Sequence, residues 1–135
     1  MPKTLAQFTL LVREYDEAIA WFTQVLRLRL VEDTVLSATK RWVVVAPDHG
    51  AALLLARAAT PEQQALVGRQ AGGRVWLFLH TDDLGEELAH LCAHGVHVVG
   101  EPRREAYGRV VVFHDLYGNP WDLIEPPPSH AEARP

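Results

Sequence analysis

The strongest constraint on how this chain folds is a pattern that it carries twice. Residues 7–12 (QFTLLV) are an apolar run of strand length that leads into REYDEA, where Asp16 is placed to accept from the first free amides of a helix. Ile19, Phe22, Val25 and Leu26 then recur at spacings of three and four, which predicts one apolar helix stripe, and Arg27 stands where a terminating Gly is usual. Three short strands are expected next, over residues 28–33, 41–46 and 51–57, separated by a polar SATK stretch and the turn Pro47-Asp48-His49-Gly50. The first half therefore reads βαβββ.

Thr60-Pro61-Glu62-Gln63 has the capping-box form and opens a short connecting helix that should end near Gly72-Gly73. The pattern then starts again. Residues 74–80 (RVWLFLH) read as a strand, Asp83 and Glu86 as a capping pair, and Leu84, Leu88, Leu91 and Cys92 as a buried helix stripe stopped by Gly95. Strands over 96–99, 109–113 and 121–125 complete the copy, with the turn from Asp115 to Pro120 answering Asp48-His49-Gly50. A period of about seventy residues is too long for a solenoid, and two copies are too few, so this is one structural unit built by duplication. The fold class is α+β, with tandem βαβββ modules at residues 1–58 and 74–126, a connecting helix and linker at 59–73, and an extended flexible tail at 127–135.

Composition narrows the function. The 135 residues are 48% hydrophobic and 22% charged, which disfavours disorder and leaves enough apolar surface for one core or two fused half-cores. The net charge is -4, and the 13 basic residues are scattered without a cluster, so no footprint for nucleic acid or an anionic membrane is present. A lone cysteine, Cys92, excludes an intrachain disulfide and a thiolate zinc cluster. No apolar run reaches the ~18 residues needed to span a bilayer. The opening MPKTLAQFTLLVRE lacks the long apolar core of a signal peptide, so a cytoplasmic location is expected.

The paired βαβββ pattern, the helix VREYDEAIAWFTQVL and the stretch YGRVVVFHDLYGNPWDLIEP resemble the vicinal oxygen chelate superfamily over residues 5–126. That group includes glyoxalase I, bleomycin-resistance proteins, fosfomycin-modifying enzymes and extradiol dioxygenases. The resemblance implies a curved mixed sheet forming a cup, in which lead and last strands each offer an inward ligand to a divalent ion. Carried over by position, these are Gln7, His80 and Glu125, while the strand AALLLARA offers only Ala56 or Arg57 and leaves the fourth ligand missing. An imidazole, a carboxylate and an amide oxygen suit Ni, Mn, Zn or Fe and keep positions open for water and substrate. In strand parity Trp76, Phe78 and His80 share one face, as do Trp121, Leu123 and Glu125.

The resemblance also assigns a cup lining. Trp76, Phe78, Phe113 and Trp121 supply apolar walls, and Tyr107 with Arg109 lies at the mouth, where a hydroxyl and a guanidinium can grip an oxyanion. Glu125 and Tyr107 are the catalytic candidates. Arg57 is a further substrate-binding candidate, or it pairs with Glu125 and replaces the metal. Each residue also has an ordinary role: Gln7 on a surface strand, His80 at a strand rim, Glu125 at the polar end of an edge strand. His49, His90, His94, His97, His114 and His130 are expected to be solvated, and Cys92 to be an inert buried thiol.

Three functions stay open on the sequence. One is a metal-assisted enzyme of lyase, isomerase or transferase type acting on a substrate with adjacent oxygens. Another is a metal-free small-molecule binding or sequestration protein. The third is a structural dimer with a filled cup. The partners expected are a small molecule and a second copy of the chain, with neither nucleic acid nor membrane.

Overall fold

The computed structural model describes residues 1–128 and divides the chain into Met1–Gln70 and a second unit from Ala71 onward. Most of the tail expected at 127–135, His130 included, lies outside the described residues. In the first unit β1 (Gln7–Val12) is followed by a crossover through α1 (Tyr15–Ala20), as a strand and helix must be before a parallel neighbour can form. The strands β2 (Arg29–Val35), β3 (Arg41–Ala46) and β4 (Ala52–Arg57) then build a sheet of order β1-β4-β3-β2, parallel only at β1/β4. Leu10, Val12, Val43, Val45, Leu53 and Leu55 are all within 3% of full burial and alternate along their strands, so they define the face covered by Ala18 and Phe22 of the helix.

Two details depart from the sequence reading and a third agrees with it. Asp16 does not cap α1: Glu14 sits at the N-cap without a side-chain bond, and Asp16 instead accepts from Arg41 at 2.8 Å. The helix continues as a π-helical turn, Trp21–Val25, where the Thr23 hydroxyl donates to the Ile19 carbonyl at 2.7 Å. Arg27 does take the left-handed conformation, with φ of 61°, that the missing Gly would have taken.

α2 (Pro61–Leu66) begins as its capping box requires, with Thr60 Oγ1 accepting from the Gln63 amide at 3.2 Å and Gln63 Oε1 from the Ala59 amide at 2.8 Å, but it ends well before Gly72. The unit then closes on Gln70. Its side-chain oxygen accepts from Leu11 N–H at 3.2 Å and its Nε2 donates to the Thr9 carbonyl at 3.0 Å, so one amide satisfies the outer edge of β1 as a neighbouring strand would.

The second unit repeats the topology, order β5-β8-β7-β6, with β5 (Leu77–His80), β6 (Val98–Glu105), β7 (Gly108–His114), β8 (Pro120–Glu125) and helix α3 (Leu84–Ala93). Asp83 caps α3 by accepting from Glu86 N–H at 3.0 Å. Leu84 and Leu91 are fully buried, whereas Cys92 is exposed, which corrects its placement on the apolar stripe. β6 runs six residues beyond the strand expected to end at Val99, continuing across a register shift between Val99 and Arg103 with Gly100 at φ 72°.

Candidate functional site

Paired residues in neighbouring strands point to the same side of a sheet, so register fixes which side chains can meet. In the second unit Leu77 pairs with Trp121, Phe78 with Asp122, Leu79 with Leu123 and His80 with Ile124. Trp121 and Leu123 therefore share a side with Glu125, Val111, Phe113 and Arg109. That side is the helix side, because Glu125 Oε1 accepts from the Leu84 amide at the start of α3, at 2.8 Å. A carboxylate there satisfies a free helix donor and complements the dipole. Oε2 of the same residue lies 4.0 Å from Arg109.

His80 and Glu125 thus face opposite ways, and the metal set expected from Gln7, His80 and Glu125 is not assembled in this unit. Gln7, exposed at the start of β1, belongs to the other unit. Among the described residues, no three His, Cys, Asp or Glu side chains converge to hold an ion. The donor set does not fit a divalent metal, since its one anionic member is committed to a helix terminus. Arg57 is not the partner of Glu125 either; it pairs with Glu14 at 3.4 Å.

The aromatic candidates divide in the same way. Phe113 and Trp121 are helix-side core, at 0% and 3% exposure with rings 5.6 Å apart, and Trp76 stands edge-on to Trp121 at 6.0 Å. Phe113 and Trp121 are packing rather than lining, while Trp76 is only part-buried. Trp121 Nε1 donates to Asp115 Oδ2 at 3.0 Å, and Asp115 Oδ1 also accepts from the amides of Tyr117 and Asn119 at 2.9 and 3.0 Å. This buried acid is fully occupied and pins the β7–β8 turn. Tyr107 sits half-exposed in the β6–β7 turn, where a hydrogen bond with Arg103 helps hold that guanidinium's pKa above its ordinary range, after the larger contribution of Glu105.

On the side away from the helix, Phe78 is 62% exposed and adjoins His80, while Val112 and Val110 of β7 pair with Asp122 and Ile124. Asp122 was missed by the sequence reading, which placed it merely between Trp121 and Leu123. It is 6% exposed, and its Oδ1 has no hydrogen-bond partner among the described residues. Burial pushes its carboxyl pKa up, against a smaller opposing effect of Arg103. Leaving such an acceptor unpaired costs about 1–3 kcal/mol. The signal available in sequence was strand parity alone: an acid at the centre of a strand, between the apolar Trp121 and Leu123.

Residues 4–123 match the family model described as the glyoxalase/bleomycin resistance protein/dioxygenase superfamily. An uncharacterised protein of Shewanella frigidimarina is 46% identical over 128 residues, covering 93% of this chain and 95% of that protein. Among solved structures, UcmS2 superposes with a TM-score of 0.77 at 26% identity, covering 92% of this chain and 98% of its own. TnmS3, an antibiotic binding protein from Streptomyces sp. CB03234, does so with 0.73 at 26% identity, covering 94% and 98%. The fosfomycin resistance protein FosX of Listeria monocytogenes shares the fold, with a TM-score of 0.67 at 15% identity over 96% of this chain and 98% of that one. No helix among the described residues is long and apolar enough to cross a membrane.

Proposed function

The chain belongs to the glyoxalase/bleomycin resistance protein/dioxygenase superfamily, and on that premise we propose that it is a small-molecule binding protein of the sequestration type, working without a metal and without turnover. The observation that carries this reading is the register of β5 on β8, which sends His80 and Glu125 to opposite sides of the sheet. The side away from the helix holds what a binding site uses, namely an exposed aromatic ring in Phe78 beside buried aliphatic neighbours and a few polar groups. The likeness to TnmS3, an antibiotic binding protein at 26% identity, supports the same reading. The protein acts in this reading as a homodimer, the assembly expected from the family resemblance.

The test is a fluorescence titration with aromatic antibiotics, bleomycin and daunorubicin among them, with and without a chelator, followed by mass spectrometry of the recovered compound. A saturable complex, unchanged by the chelator and releasing intact compound, is expected. Stoichiometric uptake of Ni, Mn or Zn that the complex requires, or a chemically altered product, would overturn the proposal. Light scattering should read twice 15.1 kDa.

A further inference from the structure

Asp122 is a second and independent clue, on the side of the second sheet that faces away from the helix. A buried carboxylate normally finds donors, as Asp115 does seven residues earlier in the chain with two backbone amides and an indole. Among the described residues Asp122 Oδ1 has no donor, although only 6% of the residue reaches solvent. Its cross-strand partner on the same side is Phe78, the most exposed aromatic ring of the described chain. The nearest cation by its electrostatic influence is Arg103, but that guanidinium is hydrogen-bonded to Glu105 at 2.8 Å and interacts with Tyr107.

We propose that Asp122 is the anchor for a protonated amine on the bound molecule, with Phe78 stacking against an adjoining planar or apolar portion, so that the ligand class is a cationic amphiphile. The inference rests on the small-molecule reading above and specifies what that molecule carries. An ammonium group supplies the donors that Asp122 lacks and a charge to offset its own, and such charge-assisted bonds are the strong ones in a water-poor setting. Phe78 contributes area and, towards a nearby cation, the attraction of its ring face.

The probes are daunorubicin, whose amino sugar is protonated at neutral pH, and N-acetyldaunorubicin, which keeps the planar rings and loses the charge. The protein should bind the amine at least tenfold more tightly than the amide. Asp122→Asn should reduce that preference to less than twofold while leaving amide binding in place. Phe78→Ala should weaken both probes and preserve their ratio, and circular dichroism of each variant confirms that the fold is intact. Equal affinities in the parent overturn the inference and leave the small-molecule reading standing. So does a preference that survives in Asp122→Asn. Failure of both probes to bind removes this class of ligand, and the small-molecule reading falls for aromatic antibiotics if bleomycin also fails.

Discussion

When the two sheets are aligned on their parallel pairs, Leu10 beside Leu55 in one and Leu79 beside Leu123 in the other, the units correspond residue for residue. On the helix side the correspondence is conservative in volume or in role. Val43 answers Val111, Leu53 answers Trp121, and Val45 answers Phe113. Even the charged ends match by function. Arg57 pairs with Glu14 at the N-cap of the first helix, while Glu125 in the equivalent place bonds the second helix terminus directly. On the other side Thr9 faces Leu54 where Phe78 faces Asp122. The helix side is held to buried apolar residues in both copies, whereas the opposite side changes its chemistry, an acid in one copy standing where the other has Leu54, and that side is where binding chemistry can be built.

The sharpest way to break the correspondence is at the start of the third strand of each unit. Gly108 has φ of 132°, and a Cβ there would run into the carbonyl of Glu125, whereas Lys40 holds the matching position with its side chain exposed. Gly108→Ala should destabilise the protein by about 3 kcal/mol or more, since it adds backbone strain to an overpacked contact. Lys40→Ala should stay within about 0.5 kcal/mol. Urea melts read both. A tolerated Gly108→Ala would mean that the β7–β8 approach is looser than its first-unit counterpart.

The turns before the last strands come next. Asp115 receives two backbone amides, the Asn119 side-chain amide and the Trp121 indole, while Asp48 is exposed and holds no comparable set among the described residues. Asp115→Ala should cost about 3 kcal/mol, because several buried donors lose their acceptor at once. Asp48→Ala should be close to neutral. Equal effects on the melting temperature would show that the two turns, alike in position, also do the same work.

Element types and order were legible in the sequence because apolar alternation and capping residues are local signals: the Thr60 box and the Asp83 cap act as written. What was not legible is which strands are paired and in what register. The family resemblance groups Glu125 with His80 by position, and a shift of one residue in a strand reverses every side chain, so Asp122 rather than Glu125 shares a side with His80. Asp16 failed as a cap for a related reason. Arg41, distant in sequence, donates to both Asp33 and Asp16, and stacks on Tyr15 at 5.2 Å, so a tertiary partner outweighed the local one. Cys92 followed a helical stripe that the packing did not use.

The smallest expected effect separates the units by pH. Hydrogen bonding to Arg41 holds the Asp33 pKa below its ordinary 3.8, whereas burial holds that of Asp122 above 3.8. A depressed folded pKa gives stability that is present above 3.8 and is lost as pH falls through the folded value. A raised one works in the other sense: its contribution is present below 3.8 and is lost as pH rises through the folded value, so ionised Asp122 is a burden at neutral pH. Asp122→Leu, which copies Leu54 of the first unit, should therefore stabilise the protein at neutral pH by about 1–2 kcal/mol, an unpaired buried charge having been exchanged for an apolar group. The gain should shrink as acid protonates the parent. Asp33→Asn should destabilise by under about 1 kcal/mol at neutral pH, less in high salt because the pair is partly exposed, and this deficit should disappear only as pH falls below 3.8. Melting temperatures of the parent and both variants across this range decide the matter. Gaps of opposite sign that both close in acid uphold the contrast, and a destabilised Asp122→Leu at neutral pH would mean that the carboxylate has a structural partner in the folded protein.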